Sequence, residues 1–196
     1  MSRLIALFDL DGTLADYDGA LLRDMLKIMA PAESLPTDMW QNEPYWEARR
    51  HMITSQVGWW LKLEKFKLGW DVLELVRSLN YRIAVLTKGP STKFNAWSEK
   101  VEWCQENLSD YVDGVTITHD KGLVYGKVLV DDYPPYIEAW LANRPRGLVI
   151  MPAHDYNKNF THLNVIRYDG TNLDEVREAL TRLANCYNED QNESET

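Results

Sequence analysis

Leu4-Ile5-Ala6-Leu7-Phe8-Asp9-Leu10-Asp11-Gly12-Thr13-Leu14 passes from an unbroken apolar run straight into two carboxylates and a glycine. An apolar run of this length reads as a strand buried on both faces of a parallel sheet. If the strand persists, its period of two points Asp9 and Asp11 the same way while Leu10 packs inward. Gly12 then lets the chain turn sharply without a Cβ clash. Carboxylates at the carboxyl end of a parallel strand stand where open α/β sheets bind ligands. Such a pair can divide labour, one attacking phosphorus and the other exchanging a proton with the leaving group. Taken alone, Asp-x-Asp-Gly reads equally well as an acidic turn, so the surrounding chain decides.

Similar β-rich runs recur at Arg82–Thr87, Val115–Thr118, Lys127–Asp131, Gly147–Met151 and Asn164–Arg167. Helical stripes lie between many of them. Val72, Leu75, Val76 and Leu79 follow i, i+3, i+4, i+7 spacing, with Asp71 and Glu74 placed as cap and N3 residue. Trp97, Val101, Cys104 and Leu108 form a second stripe, and Leu173, Val176, Leu180 and Leu183 a third. The alternation predicts an α/β fold with a Rossmann-like open parallel sheet. Residues 19–68 break the rhythm with a helical start (Leu21–Met29), a loop at Pro31–Pro36 and an aromatic-rich stretch ending at Trp59-Trp60. They are expected to form a small, mainly helical cap inserted after the first strand, leaving 1–18 and 69–184 as the core. Residues 185–196 are polar and acidic and are expected to be a disordered tail.

The chain has 196 residues, 45% hydrophobic and 26% charged, enough for one sizeable core and a modest insertion. Its net charge of −9 argues against a nucleic-acid polymer as partner, because phosphate contacts need a basic footprint. A small phosphorylated substrate remains compatible, since one bound divalent cation can reverse the potential of an acidic pocket. The longest apolar runs are strand-sized, so no membrane span is expected. Met1-Ser2-Arg3 and the five apolar residues after Leu4's start do not make a signal peptide. The two cysteines, Cys104 and Cys186, suit a reducing cytoplasm.

Two further segments carry candidate chemistry. Arg82–Thr87 ends in Thr87-Lys88-Gly89-Pro90, where a hydroxyl and nearby backbone N–H groups can hold a phosphate oxygen. Lys127–Val130 ends in Asp131-Asp132, adjacent carboxylates that are costly after an apolar run unless a cation or donors compensate them. Hard oxygen ligands of this kind suit Mg²⁺. Lys121 precedes that strand, whereas Lys127 opens it and is expected at the opposite end of the sheet from the carboxylates.

Asp9-Leu10-Asp11-Gly12-Thr13, Thr87, Lys121 and Asp131-Asp132 resemble, in order, the four motifs of haloacid dehalogenase-type phosphatases. The resemblance implies Asp9 as nucleophile, Asp11 as general acid/base, Thr87 as a hydrogen-bond donor to a phosphate oxygen and Lys121 as the neutralising cation. It also implies Mg²⁺ held by the Asp9 carboxylate, the Asp11 carbonyl and one of the final pair, Asp132 ahead of Asp131. Leu14-Ala15-Asp16-Tyr17, His119-Asp120-Lys121 and Asp131-Asp132-Tyr133-Pro134 look like the 5′(3′)-deoxyribonucleotidase family in particular. Lys100 and Trp103 fall where that family carries a phosphate-facing lysine and a helix tryptophan. The chain departs from it after Thr87, where Lys88 and Gly89 replace the usual Ser or Asn and leave Lys88 a backbone N–H to offer.

That family implies a nucleoside monophosphate as substrate, with a homodimer allowed by analogy. Tyr17, Trp40, Tyr45, Trp46, Trp59 and Trp60 concentrate aromatic rings in the cap, and such faces can stack on a base or form the cap's own core. Tyr17 and Trp60 match aromatic substrate contacts of the family. His154-Asp155-Tyr156-Asn157 follows a strand and could reach the rim of the site, but is read chiefly as a surface loop. Two other readings compete: a phosphatase of the same fold acting on a sugar phosphate or another small metabolite, and a catalytically silent binding module. The silent reading requires loss of Asp9, Asp11 or a metal carboxylate, and none is lost.

Overall fold

All six apolar runs become strands: β1 (Ile5–Phe8), β2 (Arg82–Thr87), β3 (Val115–Ile117), β4 (Val128–Val130), β5 (Leu148–Pro152) and β6 (Val165–Tyr168). The computed structural model describes residues 3–36 and 43–194. Among them the strands form one sheet in the order β3-β2-β1-β4-β5-β6, with every ladder parallel. β1 thus lies between β2 and β4, at the point where the strand order reverses, and a crevice opens there at the carboxyl ends.

The strand period of two divides the core between the faces. Ala6, Phe8, Val128 and Val130 join one cluster, with Val72 and Val76 of α3 (Lys67–Ser78), Trp103 of α4 (Phe94–Leu108) and Leu180 of α6 (Leu173–Ser194). Leu7 and Leu129 join the other, beneath Ile137 and Trp140 of α5 (Pro134–Ala142). Between β1 and α3 the chain forms α1 (Tyr17–Ile28) and α2 (Pro44–Thr54), which pack on each other. The Asp16 carboxylate caps α1 by accepting from Gly19 N at 3.0 Å, and Pro44 opens α2 where its missing N–H is harmless. This is the expected sheet with a mainly helical insertion.

Three local expectations are corrected. Asp71 does not cap α3, because the helix starts four residues earlier at Lys67. Asp71 instead pairs with Lys67 one turn back and accepts from Tyr168 Oη at 3.0 Å. On α4 the buried face is rotated from the apolar stripe: Trp97 and Val101 are half-buried, while Glu99 and Lys100 are buried with Ala96, Trp103 and Cys104. Both inward charges are paired, as described below, which makes their burial tolerable. The tail does not begin at Asn185, because Leu180, Leu183, Ala184 and Tyr187 continue the i, i+3, i+4, i+7 pattern against the core and α6 runs to Ser194. Trp40 lies outside the described residues.

Candidate active site

The site begins where β1 stops. Asp9 N still donates to Val130 O at 2.8 Å, so the ladder fixes the residue that turns into the crevice. Lys121, in a short turn before β4, reaches the same point, with Nζ 2.8 Å from Asp9 Oδ1 and 2.6 Å from Asp131 Oδ2. Lys127, the residue before β4, has its N–H on Ile5 O, at the other end of the sheet. Lys121 is therefore the lysine brought to the carboxylates, as the strand direction predicts. Burial works against its charge, yet Asp131 and Asp9 outweigh it and hold the ammonium above the ordinary lysine range.

Carboxylate oxygens of Asp9, Asp131 and Asp132 lie within 4.8 Å of one another, and all three residues are buried. Burial raises the pKa of both Asp131 and Asp132, and the charge of Asp9 pushes the same way. Asp131 accepts from Tyr133 N at 3.0 Å as well as from Lys121. Asp132 accepts from Thr13 Oγ1 at 2.8 Å and from Tyr156 Oη, while its carbonyl takes Asn157 Nδ2 at 2.9 Å. Three buried carboxylates against one lysine leave a surplus of negative charge. The donor set is hard oxygen throughout, so a small divalent cation such as Mg²⁺ fits it.

Gly12 has φ +77°, and a Cβ there would lie 2.7 Å from Asp132 Oδ2. Only glycine both adopts the turn and lets the first motif lie against the last. The loop is held further by Leu10 O, which accepts from Leu14 N at 2.9 Å and Ala15 N at 2.7 Å.

Asp11 faces the cavity beside Lys100, whose Nζ bonds Asp11 Oδ2 and Lys88 O and lies 3.3 Å from Thr87 Oγ1. Burial raises the Asp11 pKa and outweighs the opposing charge of Lys100. Its second oxygen, Oδ1, is buried without a hydrogen-bond partner. A carboxyl with a raised pKa and a free oxygen can carry a proton and hand it on.

Asp9, Asp11, Thr87, Lys100 and Asp132 line a cavity of about 690 Å³. Tyr17 and Trp60 reach it, with ring centroids 5.4 Å apart and planes tilted by 33°. Trp60 Nε1 donates to Thr54 O at 2.9 Å, which fixes the indole. Trp59 instead packs on Tyr17 and Trp60, with Nε1 on Asp24 Oδ2. Trp46 is buried in the core cluster, and the exposed Tyr45 bonds Glu33. Trp103 is also structural, donating to Leu63 O at 2.8 Å.

The segment from His154 to Asn157 reaches the site rather than remaining a surface loop, and Glu99 and Lys93 contribute although the sequence does not single them out. His154 does reach the site: Nε2 lies 2.7 Å from Gly12 O, Nδ1 lies 3.3 Å from Asp18, and the ring stacks on Phe66 and Tyr156. Tyr156 meets Asp132 from the same loop. Glu99 accepts the backbone N–H groups of Gly58 and Trp60 at 2.8 and 3.1 Å. Lys93 enters the cavity wall from the residue before α4. A charged residue beside Lys100 on the helix's inner face was the available clue for Glu99.

The family model described as "5′ nucleotidase, deoxy (Pyrimidine), cytosolic type C protein" matches residues 3–184. A human cytosolic-type 5′(3′)-deoxyribonucleotidase is 25% identical over 138 residues, which cover 64% of this chain and 69% of that protein. A mouse mitochondrial 5′(3′)-deoxyribonucleotidase is 24% identical over 169 residues, 79% of this chain and 76% of its own length. Among solved structures, a haloacid dehalogenase-like family hydrolase from Xanthomonas campestris superposes with a TM-score of 0.55 at 14% identity. That alignment covers 94% of this chain and 99% of the hydrolase, and supports the fold. No helix among the described residues is long and apolar enough to cross a membrane.

Proposed function

The chain belongs to the 5′ nucleotidase, deoxy (pyrimidine), cytosolic type C family, and from that premise we propose that it is a Mg²⁺-dependent phosphomonoesterase that converts nucleoside monophosphates, deoxynucleotides foremost, to nucleosides through a phospho-aspartate on Asp9. The observation that carries the reading is the convergence on one crevice of Asp9, its partner Lys121, and Asp11 with its unpartnered oxygen. The human and mouse relatives, both 5′(3′)-deoxyribonucleotidases, support the substrate class.

In the first step an Asp9 carboxylate oxygen attacks phosphorus as the P–O bond to the nucleoside breaks. Protonated Asp11 gives its proton to the departing ester oxygen. Lys121 offsets negative charge on Asp9 and the transferring group, and Thr87, Lys100 and the Lys88 backbone hold the phosphoryl oxygens. In the second step Asp11, now a carboxylate, takes a proton from water whose oxygen attacks the same phosphorus. The bond to Asp9 breaks, releasing inorganic phosphate and restoring the carboxylate. The metal would be held by Asp9, the Asp11 carbonyl and Asp132, with Asp131 occupied by Lys121 and Tyr133 N. Its chemistry is charge neutralisation at the phosphoryl group.

Residues 19–68 act in this reading as the cap that excludes bulk water, and Tyr17 and Trp60 offer their faces to the base. The free thiols Cys104 and Cys186 and the cytosolic human relative support work in the cytoplasm. The test is phosphate release from a panel of deoxyribonucleoside and ribonucleoside monophosphates and sugar phosphates, each with Mg²⁺ and with EDTA. Magnesium-dependent release led by deoxynucleotides is expected; release led by sugar phosphates would discard the nucleotide assignment and keep the catalytic one.

A further inference from the structure

The cavity has two electrostatic ends. The acidic end and its two engaged lysines are described above: Lys121 is paired with Asp9 and Asp131, and Lys100 with Asp11. Besides Lys100, two lysines line the cavity, Lys88 and Lys93, and neither has a carboxylate partner among the described residues. Lys88 Nζ instead lies 5.1 Å from the centre of the Tyr136 ring. Lys93 Nζ donates to Thr54 Oγ1.

That last contact fixes a position. Thr54 is fully buried, donates its hydroxyl to Arg50 O at 2.7 Å, and offers its own carbonyl to Trp60 Nε1. Lys93 is therefore anchored through the same residue that sets the Trp60 indole. It is half-buried, and its pKa is lowered, first by burial and then by the charges of Arg50 and Lys100. Lys93 thus brings to the cavity wall an ammonium group that no carboxylate among the described residues neutralises. Holding an uncompensated ammonium partly out of water is unfavourable, and an anion bound beside it offsets the penalty.

Spacing separates this wall from the transfer site. Lys93 precedes the first residue of α4 and Lys100 lies seven residues on, about 10 Å along the helix axis. A phosphate held at Thr87 and Lys100 leaves Lys93 facing a more distant part of the substrate. We infer that Lys93, fixed by Thr54 and sharing the cavity with Lys88, forms a second anion subsite, and that the enzyme favours substrates carrying a second phosphate one sugar away from the phosphate it removes. Within the nucleotidase reading, on which this rests, the class is a nucleoside 3′,5′-bisphosphate. A nucleoside 5′-diphosphate has the same total charge but places its second phosphate beside the first, so the distance argument disfavours it.

The test compares kcat/KM for a deoxynucleoside 5′-monophosphate, the matching 3′,5′-bisphosphate and the 5′-diphosphate, and for a pentose monophosphate and bisphosphate. Each is measured on wild type, Lys93→Gln and Lys93→Arg. Taking ratios within one variant cancels any general loss of activity. The expected result is a bisphosphate-to-monophosphate ratio of at least about 10 in wild type, near 1 in Lys93→Gln, and largely restored in Lys93→Arg. Should only the pentose series be turned over, the nucleotide assignment fails, and the ratio within that series still decides the subsite. A wild-type ratio near 1 in whichever series reacts, a ratio that survives Lys93→Gln, or a diphosphate preferred to the bisphosphate would overturn the inference.

Discussion

Asp11 must give up a proton in one step and take one in the next, and its surroundings pull it both ways. Burial raises its pKa and Lys100 opposes the rise. A raised value keeps the proton on Asp11 at higher pH, so donor capacity is present below that value and is lost as pH climbs through it. Lys100→Met removes the opposing charge. The alkaline limb of kcat/KM should then move to higher pH, while the rate itself falls about 10²-fold for loss of a phosphate-facing cation. A limb that stays put or moves down would remove Asp11 from the donor role. Asp9→Asn should lower turnover by roughly 10⁴-fold or more, with an unchanged circular dichroism spectrum, because the nucleophile goes and the volume stays. Activity retained in that variant would end the covalent mechanism. His154 offers a stability test of the opposite sign. Burial disfavours its charge, but Asp18, Asp132 and the Gly12 carbonyl raise the pKa overall. Its stabilising contribution is fully present below the unfolded histidine value of about 6.5 and disappears as pH rises through the folded one. In EDTA, the Tm difference between wild type and His154→Gln should be larger at pH 5.5 than at pH 8.5; equal differences would mean the imidazole stays neutral.

At the scale of elements, the first motif works because α3 comes close enough to clamp it. A Cβ on Gly69 would lie 1.8 Å from Thr13 O, while Phe66 N and Trp70 Nε1 both donate to Leu14 O. Gly69→Ala should cost about 3 kcal/mol of stability by forcing backbone from backbone, and the displaced loop should lower activity in the fraction still folded. Gly58 has φ +79° but open space around it, so Gly58→Ala should cost only about 1–2 kcal/mol. Urea unfolding of the pair checks the order, and a reversed order would contradict the clamp. The contrast also marks what sequence can carry. Apolar runs located every strand to within a residue, because burial on both faces leaves only one reading of Val128–Val130. The inner face of α4 was harder to read for the converse reason: Glu99 looks like a solvent residue until Gly58 N and Trp60 N arrive from a distant segment, and Lys100 is legible only through the family resemblance, not from the helix pattern. Asp71 misled in the same way, since a cap and a mid-helix ion pair need the same residue type. The Tyr156 contact to Asp132 depends on the loop after β5 folding back over the crevice, and no local pattern encodes it.

For the molecule as a whole, the question is how a chain of net charge −9 tolerates three carboxylates gathered at its centre. With Lys121 alone against Asp9, Asp131 and Asp132, the cluster carries −3 + 1 = −2 when ionised. Burial weakens solvent screening there, so the repulsion acts against folding. A divalent cation bound only by the folded state offsets it and stabilises by mass action, about 2.7 kcal/mol at a concentration 100 times its Kd. For a domain of this length each kcal/mol moves Tm by roughly 2–4 °C, so saturating Mg²⁺ should raise Tm by roughly 5–10 °C over EDTA. Sodium chloride at matched ionic strength should give little of this rise, because exposed charge is screened and the buried cluster is not. Asp132→Asn should be more stable than wild type in EDTA, where repulsion is reduced, and should lose most of the Mg²⁺ increment. The two effects have opposite signs, which separates metal binding from simple destabilisation by the substitution. A wild-type Tm indifferent to Mg²⁺ would mean that Thr13, Tyr156 and Lys121 already balance the cluster, and that the carboxylates are not arranged to hold a cation.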